Sequence, residues 1–368
     1  MGMQRRDFLK GLAATAALPY APFLEEVALP APRSRDVFDR AIVIDALCVV
    51  GGERREFEEE DWQAFQRSGY SAIQTTLGSS SFDVAVRQLG DWARRFREHP
   101  DRLIRVTSTE DIRRAKAMGK LGVMLGFQNA TMIEQDVGNL DTLYDLGTRC
   151  IQLTYNSRNL LGDGCTERTQ CGLSDFAVQC LERMNDLGII VDLSHCGVGT
   201  TADGIELSRV APCFTHSMCQ EVYSRTIRHP RAKADGEMRA LADRGGVMGI
   251  ATLGYFVGPS PGASFGDYMD HIDHAVNVMG IEHVGLCTDH QLRGIQPWAT
   301  RENWYEPRLR SFKPEYNVRW PPWIHELDVP ERFRNVAHGL SQRGYGDHDV
   351  ELILGGNWLR YFRDVLGA

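Results

Sequence analysis

Ile189-Ile190-Val191-Asp192-Leu193-Ser194-His195 is an almost unbroken apolar run that stops on a polar pair ending in histidine. Pro212-Cys213-Phe214-Thr215-His216 repeats the pattern one step further along the chain. Such runs show no alternation of apolar and polar residues, so they predict strands buried on both faces, as in parallel sheets covered by helices. In proteins of that architecture the reactive groups gather where strands end, because the following loops converge there.

Working outward, six further runs have the same character: Ile42–Asp45, Ala72–Leu77, Gly122–Gly126, Cys150–Thr154, Gly246–Ile250 and His283–Cys287. Amphipathic stretches separate several of them, among them Phe82–Glu98, Asn139–Leu146, Asp175–Leu187 and Gly236–Ala242. Eight such runs with intervening helices predict an α/β fold of the closed kind, a (β/α)8 TIM-type barrel. An open doubly wound sheet is the competing arrangement, and Leu103–Val106 is a candidate extra strand. Gly258–Gly266 reads as a loop, and the letters Gly262-Ala263-Ser264-Phe265-Gly266 do not make a nucleophile elbow, since Pro259 and Pro261 leave no strand to feed the turn. Residues 296–330, rich in Trp, Pro and Arg, form an aperiodic excursion suited to covering a pocket or making a homodimer contact. A final helix is expected after Asp347, ending near Gly367.

Residues 1–34 stand apart from residues 35–368, which read as one catalytic domain. Arg5 and Arg6 precede Phe8-Leu9-Lys10 and a short apolar stretch, an order that resembles a bacterial twin-arginine export signal with cleavage around Ala28–Ser34. The expected address is the periplasm, without a stable transmembrane anchor, because the apolar stretch is short and interrupted by proline. Nine cysteines in an oxidising compartment permit disulfides, with Cys165 and Cys171 the local candidate pair. The formal net charge of -8 argues against nucleic acid as a partner and leaves a small-molecule substrate as the expectation.

The ends of the runs supply the candidate site. His195 and His216, at successive strand ends, are the best pair of metal ligands, since imidazole nitrogen suits a zinc-like ion. Either could instead be a hydrogen-bonded core histidine. Asp289 is the matching carboxylate, as ligand or as proton acceptor from an attacking water. His290 follows it as a candidate substrate contact. Gln128 and Tyr155-Asn156 end two more runs, and Arg231, in Arg228-His229-Pro230-Arg231, could hold a substrate carboxylate with its fork of N–H groups. The polar segment Asn156–Glu167, with Asp163, Cys165 and Glu167, could carry substrate contacts or replacement ligands.

The blocks VDLSH (Val191–His195), FTHS (Phe214–Ser217), HPRAKAD (His229–Asp235), RALADRGGVMGI (Arg239–Ile250), MGIEHVGLCTDH (Met279–His290) and GGNWLR (Gly355–Arg360) together resemble the membrane (renal-type) dipeptidase family, peptidase family M19, among the amidohydrolase-like barrels. The resemblance implies a two-metal, usually zinc, centre that hydrolyses dipeptides bearing a free carboxylate. It also marks departures. Leu47 and Val49 stand where the family has a histidine and an aspartate, Gln128 replaces the bridging glutamate, and Tyr155 replaces the histidine near the scissile bond. A two-metal centre is therefore not expected. One divalent ion, held by His195, His216 and Gln128, is. Asp289 and Tyr155 would then be catalytic, and Arg231, Asn156 and His290 would contact substrate. The implied function is a dipeptidase-like metallohydrolase. The alternatives are a one-metal or metal-free lyase, isomerase or lactonase, and a non-catalytic small-molecule-binding protein.

Overall fold

In a computed structural model, residues 36–50 and 56–367 are described. Eight strands form the barrel: β1 (Ile44–Asp45), β2 (Ala72–Leu77), β3 (Leu121–Phe127), β4 (Thr148–Gln152), β5 (Ile190–Asp192), β6 (Phe214–Cys219), β7 (Met248–Ala251) and β8 (Val284–Cys287). All neighbours in the ring run parallel. β2 and β3 are in register from Ala72 opposite Gly122 to Leu77 opposite Phe127, and β7 and β8 from Met248 opposite Val284 to Ala251 opposite Cys287. The ring passes from β5 to β6 through the Asp192–Cys213 bridge. It closes from β8 to β1 through Ala46 N–H donating to Leu286 O at 3.2 Å. This is the closed barrel expected from the eight apolar runs, and the open sheet is set aside.

The helices lie where the 3.6-residue period places them. Phe82–Glu98 buries Ala85, Leu89 and Trp92 on one stripe and starts at Ser81, whose hydroxyl accepts from Val84 N–H at 3.3 Å. Asp175–Leu187 starts in the same way at Ser174 and stops at Gly188, whose φ of 74° is the left-handed conformation that glycine adopts without a Cβ clash. The last helix, Asn357–Leu366, drives the buried Trp358 against the barrel. A Cβ on Gly285 would lie 2.2 Å from Trp358 Nε1, so β8 needs glycine there for the ring to seat.

The candidate extra strand is present as Leu103–Arg105, paired with β3 outside the ring. Other expectations are corrected. A helix begins at Phe265, inside the stretch read as loop up to Gly266, and Ser264 caps it by accepting from Asp267 N–H at 3.1 Å. The nine cysteines are all free, so Cys165 and Cys171 are not paired. Cys165 is buried with its Sγ 3.4 Å from Asn156 Oδ1, whereas Cys171 is exposed. The export-signal region and its cleavage site lie outside the described residues. Among the described residues no helix is long and apolar enough to cross a membrane.

Candidate active site and metal centre

β5 and β6 end side by side, and their terminal residues are tied together beneath the histidines. The buried Asp192 carboxylate accepts from the hydroxyls of Ser194 at 2.5 Å and Thr215 at 2.6 Å, and from the backbone N–H groups of both at 2.9 and 3.0 Å. Thr215 has one hydroxyl proton, and it is spent on Asp192. Its Oγ1 therefore accepts from Nδ1–H of His216, 2.8 Å away. On the neighbouring strand Nδ1 of His195 lies 2.8 Å from Asn156 Oδ1, which also accepts from the Cys165 thiol. In this bonding pattern both imidazoles carry their proton on Nδ1 and present bare Nε2 atoms, which face one another at 2.9 Å. Burial holds both rings far below the usual histidine pKa, and the Arg231 and Lys233 cations push the same way. The pair is thus neutral, the state in which imidazole ligates metals.

Gln128 reaches the same point from the end of β3, with its Nε2 3.1 Å from His216 Nε2. Asp289 follows β8, with Oδ1 3.9 Å from His216 Nε2. Its φ is 58°, a left-handed backbone that a non-glycine residue holds only when its surroundings impose it. The tie is visible, since Asp289 N–H donates to Leu47 O at 2.9 Å. Burial raises the Asp289 carboxyl to about 7, with Arg231 and Arg308 pulling in the opposite direction. Tyr155 stacks on His195 with ring centroids 4.0 Å apart, and burial keeps its hydroxyl protonated.

The remaining predicted residues sit differently from one another. His290 lines the cavity over the barrel mouth, but its nitrogens lie 2.9 Å from Thr252 Oγ1 and 3.0 Å from Gln291 O. Arg231 is fully buried under the site, donating to the carbonyls of Ser194 and, at 2.6 Å, of His216. Asp163 is bound within its own loop by Arg158 and Cys171 N–H, and Glu167 accepts from Arg158 and Arg168 N–H. Residues that the sequence did not nominate complete the cavity: Tyr255, Trp298, Trp304, Arg308, Phe312 and Tyr316, most of them from the 296–330 excursion, which covers the mouth.

The donor set fits one divalent ion. Nitrogens bound to a tetrahedral ion at ~2.1 Å stand ~3.4 Å apart, so the two Nε2 atoms need separate by only a few tenths of an ångström. Turning the Gln128 carboxamide would offer its oxygen as a third donor, with the Asp289 carboxylate adjacent. A second ion on the β1 side does not fit. Leu47 is buried and its backbone, not its side chain, is engaged, and Val49 turns an apolar side chain to the cavity. Among the described residues, Glu221, Asp235 and His274 are the one group of three His, Cys, Asp or Glu donors that all lie within 4.8 Å of one another. It does not border this cavity, and Arg239, 3.2 Å from Asp235, already supplies positive charge there.

The match to known proteins agrees with this architecture. Residues 61–299 match the membrane dipeptidase family (peptidase family M19), more than half of the chain, and the chain belongs to that family. It is thus an amidohydrolase-like α/β barrel of a metal-dependent hydrolase family. The chain is 27% identical over 271 residues to dipeptidase verJ of Clonostachys rogersoniana, across 73% of this chain and 61% of that protein. It is 33% identical over 178 residues to an uncharacterised dipeptidase of Schizosaccharomyces pombe, across 46% of this chain and 42% of that one. The matches thus span less than two thirds of either relative's length. Among solved structures it is similar to an amidohydrolase from Pseudomonas aeruginosa, with 29% identity and a TM-score of 0.79 over 90% of this chain and 98% of that one. A metallopeptidase from Rhodobacter sphaeroides, liganded with a phosphinate mimic of L-Ala-D-Ala, shares the fold at 15% identity and a TM-score of 0.71, over 88% of this chain and 99% of that one. Residues 2–19 match the twin-arginine translocation signal, in keeping with export to the periplasm.

Proposed function

We propose that the protein is a one-metal, dipeptidase-like hydrolase that cleaves a small peptide or related amide. The single observation that carries this is the pair of Nε2 atoms 2.9 Å apart, each on a ring whose Nδ1 is held by a neighbour. Two neutral imidazoles arranged lone pair to lone pair repel each other unless a cation lies between them. His195, His216 and the Gln128 carboxamide would hold that ion, with zinc the natural choice for such donors. The ion would supply a Lewis acid and a water of lowered pKa.

The chain's own residues supply the rest. Asp289, ionised above about pH 7 before any ion is bound, accepts a proton from the attacking water and returns it to the leaving nitrogen. Tyr155, kept protonated by burial, donates a hydrogen bond to the developing oxyanion. Asn156 fixes the tautomer of His195, and Arg231 ties the β5 and β6 ends through their carbonyls. The aromatic residues of the 296–330 excursion form one wall of the cavity and lower its polarity.

The test is release of free amino acids from a set of L,L and L,D dipeptides by protein loaded with zinc or manganese. Turnover that chelation abolishes and zinc restores is expected. Persistent inactivity with both metals across the set would overturn the hydrolase reading.

A further inference from the structure

Away from the barrel mouth, donors from three helices converge. Glu221 stands on the short helix Gln220–Tyr223 that follows β6, Asp235 opens the helix Asp235–Asp243, and His274 lies inside the helix Phe265–Met279. One carboxylate oxygen of each acid and one ring nitrogen of His274 all lie within 4.8 Å of one another. His274 Nε2 is 2.7 Å from Asp235 Oδ1. Acids in the first turn of a helix answer the positive end of its dipole, which alone would explain Glu221 and Asp235. A histidine from the interior of a third helix, turned toward both, has no such reason. The charge there does not close either. Glu221 Oε1 accepts from Asp235 N–H at 3.3 Å, but its Oε2 is buried and has no hydrogen-bond partner among the described residues. A buried carboxylate oxygen without a partner has lost its water and gained nothing in return. Arg239 supplies one positive charge, from an exposed side chain 3.2 Å from Asp235 Oδ2, the oxygen that His274 does not touch. Arg225 and Arg228 line the same surface depression, yet among the described residues no lysine or arginine lies within 4.0 Å of Glu221.

We propose that Glu221, Asp235 and His274 form a metal site separate from the barrel mouth, for a divalent transition ion such as zinc, and that the ion clamps the chain between β6 and the helix Asp235–Asp243. An imidazole among the donors suits zinc and disfavours calcium and magnesium, which take oxygen ligands. Donors on a tetrahedral ion with bonds of ~2.1 Å stand ~3.4 Å apart, so small side-chain rotations bring the three atoms onto one centre. The ion takes the orphaned Oε2 of Glu221, Oδ1 of Asp235 and the imidazole, and leaves Oδ2 to Arg239. Positions that three protein donors leave open go to water from the depression. The clamped segment carries Arg231 and Lys233, whose buried cations bind carbonyls around the ends of β5 and β6, including Leu193 O at 3.0 Å and His216 O at 2.6 Å. The clamp therefore braces the floor of the candidate active site from outside. It does not depend on the hydrolase reading.

The test takes the full chain with His195→Ala and His216→Ala together, which removes both imidazoles of the barrel mouth, and dialyses it against zinc. One ion per chain is expected to remain, and none once His274→Gln is added. Glutamine keeps an N–H donor for Asp235, so the fold loses little. The parent chain gives the same answer should the doubly substituted chain not fold: His274→Gln is expected to lower its zinc content by one ion per chain. Zinc at 100 times its Kd shifts a folding equilibrium by ~100-fold. The urea midpoint of the doubly substituted chain should therefore rise with zinc, stay put when His274→Gln is present, and stay put with calcium. Zinc content that His274→Gln leaves unchanged, a folded doubly substituted chain without zinc, or calcium acting as well as zinc would each overturn the assignment.

Discussion

Thr215 stands between Asp192 and His216 as a one-way hydrogen-bond link: its hydroxyl donates to Asp192 Oδ2 at 2.6 Å and accepts from His216 Nδ1 at 2.8 Å. The buried carboxylate thereby sets which nitrogen of a ring on the next strand is bare. Replacing Thr215 by Val keeps the shape and removes the link. Supporting bonds of this kind are worth about 10- to 100-fold in metal affinity, so Thr215→Val should weaken zinc binding by about that factor in a chelator competition, and Thr215→Ser should stay within a few-fold of the parent.

Asp289 is placed to move the proton. Asp289→Asn keeps size and polarity but cannot accept it, so kcat on any dipeptide that is turned over should fall by on the order of 10²- to 10⁴-fold. KM should change little. A loss carried by KM instead would mean that Asp289 binds substrate and does not serve as the base.

Acid stability is expected to depend on a histidine far from the chemistry. His271 is fully buried, its Nδ1 accepting from Cys219 N–H at 3.1 Å and its Nε2 3.1 Å from Val257 O, and burial lowers its pKa from 6.5 to about 4. Between these values the unfolded chain binds a proton that the folded chain refuses, so folding stability rises with pH across that window. The contribution is complete above pH ~6.5 and is lost as pH falls toward ~4, on the order of 3 kcal/mol in all. Urea midpoints measured from pH 7 to pH 4 should fall more steeply for the parent than for His271→Gln.

The seat of the last helix can be tested by one methyl group. Gly285→Ala would set a Cβ 2.2 Å from Trp358 Nε1 and force the indole out of its place. Overpacking of this kind costs about 1–3 kcal/mol, read as a lower urea midpoint at an unchanged slope. Gly236→Ala, whose new Cβ meets nothing within 4 Å, is the matched control and should not destabilise.

The barrel was legible because each buried strand is a continuous apolar run, and the histidines were legible because each ends one. Strands of two residues, such as Cys48–Val49 and His290–Gln291, are too short to leave a pattern. Asp192 lay in plain sight within VDLSH, but the direction of a hydroxyl's hydrogen bond is a property of neighbours on two strands and cannot be read along one. Arg231 was nominated from its loop position, and the carbonyls that engage it come from 15 and 37 residues away. Arg308 was invisible for the opposite reason. It sits in the aperiodic 296–330 excursion, where no spacing tells a cavity-facing residue from a solvated one.

Anomalous diffraction at the zinc edge, on crystals of protein grown with zinc, bears most directly on the metal centre. The expected map has a single peak at the barrel mouth, ~2.1 Å from both His195 Nε2 and His216 Nε2. No peak there, or a second one beside Leu47 and Val49, would contradict a one-ion site.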